Sequence, residues 1–285
     1  MTVHTQELAQ TIREKFNHGE AKLPLLPEAV LKVRNIIQDE EKGASDIAKV
    51  IGDDPTFSTT VLKIANSAQF KTGNFDIRSL PMAIQRLGGR KTLQLLIAIS
   101  SKLHVQVKNK RLQDILRSTS HHSLLVAAAA QHLARLIGSA DPEEAFLASI
   151  LHDVGVQAVI SAVPDELAEL PEDACLSVIQ TLHREMGGRL LNHWDMPDIF
   201  ATVASHHGIE ADDRPRDKLI DYIDAADFIV QHTGHPVLFD TIPEGIESEH
   251  YPPMMRLGIN DIHLAAIEVE LEDDAQALQD AFQAA

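Results

Sequence analysis

The stretch Pro142-Glu143-Glu144-Ala145-Phe146-Leu147-Ala148-Ser149-Ile150-Leu151-His152-Asp153-Val154-Gly155 ends an otherwise apolar helical pattern with an imidazole and a carboxylate side by side. Asp141 before it, with Glu144 three residues on, forms a capping-box arrangement that starts a helix. Gly155 suits a left-handed C-cap and marks the expected end of that helix. Burying His152 and Asp153 among Ile150, Leu151 and Val154 is costly unless each finds a partner. A structural ion pair satisfies that condition, and a metal or catalytic site satisfies it equally.

On either side the chain reads as short helices, with almost no period-two alternation, so an all-α fold is expected. Pro27 opens a helix over 28–38, Ser45 caps 46–52, Asp54-Pro55 opens 56–68, and Ser79 precedes 81–87. Gly88-Gly89 breaks the pattern before a second apolar helix over 91–104. A polar and basic stretch, Val105 to Arg111, then divides an N-terminal lobe, 1–110, from a C-terminal lobe, 111–285. The two are expected to pack as one module, because helices under about 12 residues are marginal alone. Helices over 112–137, 176–194, 197–207, 218–233 and 261–282 follow, with 208–216 and 235–258 as loops.

The composition narrows the chemistry. Cys175 is the one cysteine, which excludes an internal disulfide and thiolate metal sites, and a reducing cytoplasm is the expected setting. No signal-peptide core and no 18-residue apolar run is evident, so no membrane is expected. With 42 acidic against 25 basic residues the net charge is -17, a field that repels polyanions and argues against nucleic acid. A small phosphorylated ligand stays compatible, because a metal or a local cation reverses the field inside one pocket. Walker, GxGxxG, GxSxG and HExxH signatures are absent.

Further histidines occupy helix faces on which apolar residues are expected, since residues three and four apart share a side. His122 lies on the seam of Ile115, Val126 and Leu133, and His183 on that of Ile179, Met186 and Leu190. His206 and His207 follow Val203 by three and four, and Asp227 shares a face with Ile220, Ile223 and Val230. A single inward histidine is more often a hydrogen-bonded core residue than a ligand, and His121 competes with His122. His4, His18, His235 and His250 stand in polar surroundings and read as surface. Inward groups on five successive helices are poorly explained as independent accidents. Imidazoles with carboxylates and no thiolate suit a divalent transition metal, iron or manganese first and zinc as well. Gly187-Gly188, inside a helical pattern, reads as a close helix contact. Cys175 reads as structural, and the acidic run Glu268 to Asp274 as a solvated face.

The segments Leu23-Pro24-Leu25-Leu26-Pro27-Glu28, Asp53-Asp54-Pro55, Val61-Leu62-Lys63-Ile64-Ala65-Asn66-Ser67-Ala68, and Ile77-Arg78-Ser79-Leu80 with Leu87-Gly88 resemble the HDOD (HD-related output domain) pattern. The resemblance runs from about Leu23 to His207. It implies an all-helical, HD-like signalling or regulatory protein of bacterial type, in a family whose members have mostly lost catalysis. His122, His152, Asp153, His183, His206, His207 and Asp227 are similar, in order and approximate spacing, to the metal ligands of the HD-GYP relatives, which hydrolyse cyclic di-GMP. One or two metal ions are thereby implied. Two departures stand out: Val156 occupies the place of the relatives' catalytic lysine, and Ser118 that of an extra ligating glutamate in some of them; no GYP tripeptide occurs. The expectation is a metal-binding regulatory module that binds signalling proteins or a small phosphorylated ligand. The rival is a metal-dependent phosphodiesterase acting on a nucleotide or cyclic dinucleotide.

Overall fold

The structure is a computed structural model and describes residues 3–24, 26–67, 76–103, 107–208, 214–233, 246–267 and 271. Among these residues every regular element is helical, in accord with the all-α expectation. The helices are α1 (Val3–Asn17), α2 (Glu28–Ile37), α3 (Ala44–Gly52), α4 (Pro55–Asn66), α5 (Leu80–Leu87), α6 (Gly89–Leu103), α7 (Lys110–Ile137), α8 (Pro142–Leu151), α9 (Val154–Ala162), α10 (Pro164–Glu169), α11 (Glu172–His193), α12 (Asp198–His206), α13 (Lys218–His232) and α14 (Pro252–Leu257).

They gather into two compact units, residues 25–104 with 270–285, and residues 1–24 with 105–269. In the smaller unit α2 to α6 close around Val33, Ile51, Phe57, Val61, Ile64, Ile84, Leu96 and Ile99. Asp54 caps α4 by accepting from the amides of Thr56 and Phe57 at 2.8 and 3.3 Å, as its place before Pro55 requires. Asn66 ends the same helix with a two-way amide clasp. Its Nδ2 donates to the Ile77 carbonyl and its Oδ1 accepts from the Ile77 amide, both at 2.8 Å.

The larger unit carries the histidines. α7 is its longest helix, capped by Asn109 on the Leu112 amide (3.2 Å) and closed by Gly138 in the left-handed region at φ 72. α8 and α13 pack on α7, and α9 and α12 pack on α11. The Arg111 guanidinium donates to the Leu167 and Leu170 carbonyls at 2.9 and 2.8 Å, fastening the last turn of α10 to the start of α7.

Several elements differ from the sequence reading. α1 packs on α11 and α9, so it belongs with the histidine-bearing unit, whereas the sequence grouped it with residues up to 110. Arg13 pairs with Glu185 at 2.8 Å, Arg189 donates to Asn17 at 2.6 Å, and the Trp194 indole donates to the Pro24 carbonyl at 2.8 Å. The helix expected to run to Gly155 stops at Leu151 and restarts at Val154. Gly155 lies inside the restarted helix and is no cap. Pro142–Ala162 does form an apolar stretch of membrane-crossing length, but 94% of its apolar 18-residue window is buried, as core helices are. The stretch read as the loop 235–258 contains a 3-10 turn at Ser248–His250 and α14. Of the helix expected over 261–282, residues 261–267 and 271 are helical, and the remainder lies outside the described residues. So do His235 and the acidic run from Glu268 to Asp274.

Ile12, fully buried on α1, measures the attachment of this helix. Ile12→Ala is expected to lower the unfolding free energy by about 2–4 kcal/mol, the usual cost of emptying such a site. Denaturant titration checks it; a change within error would mean that α1 is a dispensable appendage.

Candidate metal centre

The helix break lies at the His152-Asp153 doublet. His152 ends α8 at φ -58, and Asp153 takes φ -99, ψ 13, the sparsely populated bridge conformation. On an unbroken helix neighbouring residues point about 100° apart. The break instead sets His152 Nε2 and Asp153 Oδ2 3.3 Å apart, both side chains inside the unit.

Three imidazoles surround the one carboxylate. Asp153 Oδ1 faces His183 Nε2 at 3.7 Å and His207 Nε2 at 3.3 Å, while Oδ2 faces His152. His122 Nε2 lies 3.3 Å from Asp227 Oδ1, and its ring centroid is 5.5 Å from that of His152. The ligating atoms fall into two groups, each within 4.8 Å: His122 with His152 and Asp153, and Asp153 with His183 and His207. Asp153 is common to both, with a different oxygen turned to each. His122, His152, Asp153, His183, His207 and Asp227 are all buried.

His206 is not drawn into either group. It is half-buried, and its Nδ1 donates to the Thr202 carbonyl at 2.8 Å. Adjacent residues at the end of one helix point in different directions, so only His207 of the pair reaches Asp153. His121 is half-buried and also outside both groups, while His18 and His250 are exposed as expected. A third cluster, Glu247, Glu249 and His250, is wholly exposed, a common arrangement that needs no ion. Cys175 is buried and burial pushes its thiol up, consistent with a packing role.

The tautomers follow from the second ring nitrogens. His152 Nδ1 contacts the Ser149 carbonyl at 2.6 Å, His183 Nδ1 that of Gln180 at 2.9 Å, and His207 Nδ1 that of Ala204 at 3.1 Å. A carbonyl oxygen only accepts, so each Nδ1 carries a proton and each neutral ring turns an Nε2 lone pair towards Asp153. Lone pairs facing a carboxylate repel, and the arrangement is stable only with a cation among them. Histidine ligands to metals are oriented in this same way, through a carbonyl on the far nitrogen. Separations of 3.3–3.7 Å also exceed the 2.7–2.9 Å of a charge-assisted hydrogen bond. They match the roughly 3.4 Å between ligand atoms that each lie about 2.1 Å from a tetrahedral ion. The donor set therefore fits one or two divalent transition metals.

Without a metal, a proton has to serve. Burial disfavours the charged form of His152, but the charge and hydrogen bond of Asp153 overcome it and hold its pKa at about 9. Burial drives His183 down to about 4, and His122 and His207 are lowered for the same reason. Burial also opposes ionisation of Asp153, but the surrounding imidazoles win and keep it well below the usual carboxylate range.

Glycines set the helix spacings that make this convergence fit. A Cβ on Gly155 would overlap the His183 carbonyl oxygen and stand 2.6 Å from the Gly187 amide, so α9 and α11 touch backbone to backbone. A Cβ on Gly188 would overlap Ser205 Oγ and lie 3.2 Å from the Ala201 carbonyl, so α12 approaches α11 there chiefly through a side chain. The close contact read from Gly187-Gly188 is thus present, and Gly155 is its other half.

Two groups escaped the sequence reading. Asp224, one turn before Asp227, is fully buried; it accepts from the Gly208 amide at 2.8 Å and pairs with Arg214 at 2.8 Å. Burial pushes its pKa up to about 7 against the pull of Arg214 and Gly208. Gly208 (φ 66) follows His207, so this clasp fixes the turn that presents the ligand. Arg184, next to His183, is half-buried and makes no hydrogen bond or ion pair among the described residues, and its charge acts on Asp153, Asp224, His183 and His207.

Comparison with known proteins identifies the family and the fold. The profile of the HDOD domain family matches residues 23–209. A Shewanella amazonensis SB2B protein provisionally designated a metal-dependent phosphohydrolase superposes with a TM-score of 0.80 at 17% identity, over 99% of this chain and 100% of its own. An HDOD domain protein of unknown function from Geobacter sulfurreducens gives a TM-score of 0.70 at 20% identity, over 96% and 98%. These likenesses establish the fold. An uncharacterized protein of Treponema pallidum (strain Nichols) is 24% identical over 98% of this chain, which spans about half (53%) of that relative's length.

Gly155→Ala is expected to destabilise the protein by at least ~3 kcal/mol, the upper end of ordinary overpacking. Gly188→Ala should cost less, because the Ser205 side chain can turn away. Equal melting temperatures for the two variants would contradict the backbone contact at Gly155.

The pH dependence has a definite sign. The raised pKa of His152 contributes stability that is complete below about 6.5 and is lost as pH rises through about 9. The depressed pKa of His183 contributes stability that is present above 6.5 and is lost as pH falls towards 4. Chelator-treated protein is therefore expected to melt highest near pH 6.5 and progressively lower on both sides. A melting temperature that kept rising from pH 6.5 to 9 would count against the charged His152–Asp153 pair.

Proposed function

The chain belongs to the HDOD domain family, and from that premise we propose that it is a regulatory protein whose His/Asp centre binds a divalent transition metal and acts chiefly through ligand or partner binding. The observation that carries this reading is Asp153, buried among three imidazoles whose protonated Nδ1 atoms are all engaged by main-chain carbonyls. His122, His152, His183 and His207 would supply nitrogen ligands, Asp153 a carboxylate shared between two positions, and Asp227 a further carboxylate beside His122. A bound divalent ion supplies Lewis acidity and lowers the pKa of a coordinated water.

Val156 favours binding over turnover. It is fully buried, so its aliphatic side chain packs in the core where the active relatives place a lysine. Electrostatic stabilisation of developing charge is usually the largest catalytic contribution, and loss of one such group typically costs on the order of a hundredfold to a thousandfold in rate.

Arg184 favours the second reading, a phosphodiesterase of a nucleotide or cyclic dinucleotide. Its guanidinium is a cation beside the centre with no carboxylate partner among the described residues, placed to meet an anionic phosphate. Hydrolysis of an artificial bis-aryl phosphate, measured with and without Arg184→Ala, separates the two readings.

Protein purified without chelator is expected to carry one or two transition-metal ions per chain by elemental analysis, and His183→Ala to lose most of them with its helical content retained. Turnover of the bis-aryl phosphate should be weak or absent. Absence of metal after reconstitution with iron, manganese and zinc would refute the metal reading. Rapid turnover abolished by His152→Ala and reduced by Arg184→Ala would establish the enzyme instead.

A further inference from the structure

A cavity of about 210 Å³ opens beside the first turn of α13, which lies between His207 and Asp227 in sequence, but the cavity is lined by none of the residues of the histidine cluster. Four cations line it, Arg214, Arg216, Lys218 and Arg256, against the carboxylate of Asp221. Its base is rigid. Arg214 donates to Asp221 at 3.0 Å and pairs with Asp224 at 2.8 Å, and Arg256 reaches Asp221 through Nε and Nη2 at 3.0 and 2.7 Å. Arg214 is 5% exposed, so the guanidinium at the bottom of the cavity is held in place by packing as well as by its ion pairs. At the mouth, Arg216 and Lys218 are exposed, and among the described residues neither makes an ion pair or hydrogen bond.

Four cations thus line one small cavity with a single carboxylate, Asp221, while Asp224 holds Arg214 from outside the lining, in a chain whose net charge is -17. Among the described residues both mouth cations are left without a partner, which concentrates positive potential at the cavity in a chain with an acidic excess. Three of the four cations are arginines, whose planar fork of donors matches the oxygens of a phosphate. Pro215 and Leu257 add an apolar wall. Pockets that enclose a whole organic ligand start at roughly 300 Å³. A cavity of this size takes the charged head of a ligand and leaves the remainder in solvent.

We propose that this cavity is an anion site that receives the phosphate group of a small phosphorylated molecule, gripped by Arg216 and Lys218 above the fixed Arg214–Asp221–Arg256 base. The site requires no metal and stands or falls independently of the metal reading. Arg214 gives it a physical link to that centre, because the same guanidinium holds Asp224, which fixes the turn after His207.

The test is calorimetric titration of the full chain with pyrophosphate in the presence of a chelator, so that no phosphate is bound through a metal. The comparison is the double variant Arg216→Ala/Lys218→Ala, both exposed positions, with circular dichroism to confirm folding. The wild-type chain should bind pyrophosphate, more weakly as salt is raised, and the double variant should bind it roughly tenfold or more weakly, as expected for loss of charged hydrogen bonds. No binding by the wild-type chain, or equal binding by the double variant, would overturn the proposal. A second arm uses Arg256→Gln, which should also weaken binding; an unchanged affinity there together with an unchanged double variant would place any bound anion elsewhere on the protein.

Discussion

A carboxylate buried with its charge must be compensated within a few ångströms, and Asp153 is the point at which this protein meets that demand. Removing an ion from water costs several kcal/mol even after relaxation, and truncating one partner of a buried ion pair is correspondingly severe. Asp153 is 7% exposed and faces three imidazoles that are themselves buried. Neutral rings cannot neutralise it, because their protons are committed to main-chain carbonyls on the opposite side. The carbonyls that orient His152, His183 and His207 belong to the residue three before each of them, so a helix end or turn aims its own ligand without help from a distant side chain.

The convergence also depends on helix spacing. Imidazole is a short side chain, and its Nε2 reaches a common point only if the helices that carry it nearly touch. α9 and α11 meet at Gly155 and Gly187 with backbone atoms in direct contact, and α11 meets α12 at Gly188, where the Ser205 side chain fills the space. These close approaches bring Asp153 to His183 on one side and His183 to His207 on the other. The cost of glycine inside a helix, up to about 1 kcal/mol relative to alanine, is the condition for that geometry. The break between α8 and α9 is the complementary device, since it lets two consecutive residues serve one centre.

Around this core lies a second layer of charge. Asp224 ties the turn after His207 to Arg214, and Arg214 and Arg256 meet on Asp221, so one chain of ion pairs runs from the ligand-bearing turn to the outer face of α13. Arg184, next to His183, supplies a cation that makes no ion pair among the described residues. In a chain with so large an acidic excess, cations gathered at these points create local fields opposite in sign to the field of the whole molecule.

The sequence by itself determined the helices and the candidate ligands, because both depend on local chemistry. Asp54-Pro55 and Asp141-Pro142 start helices through their own side chains, and the period of apolar residues marks which face is inward. His122, His183, His207 and Asp227 were visible as polar interruptions of those faces, and the His152-Asp153 doublet as a buried pair. Tertiary structure decided the rest. His206 and His207 are equivalent by spacing, and only the termination of α12 separates the one that reaches Asp153 from the one that does not. Gly155 reads as a cap until α11 is laid against it, when its missing side chain proves to be the space that the His183 carbonyl occupies. The attachment of α1 to the histidine-bearing unit, and the pairing of Asp224 with Arg214, join residues distant in the chain through packing and charge. Such contacts leave no periodic trace in the sequence, because their physical cause is the meeting of surfaces that exist only once the helices have folded.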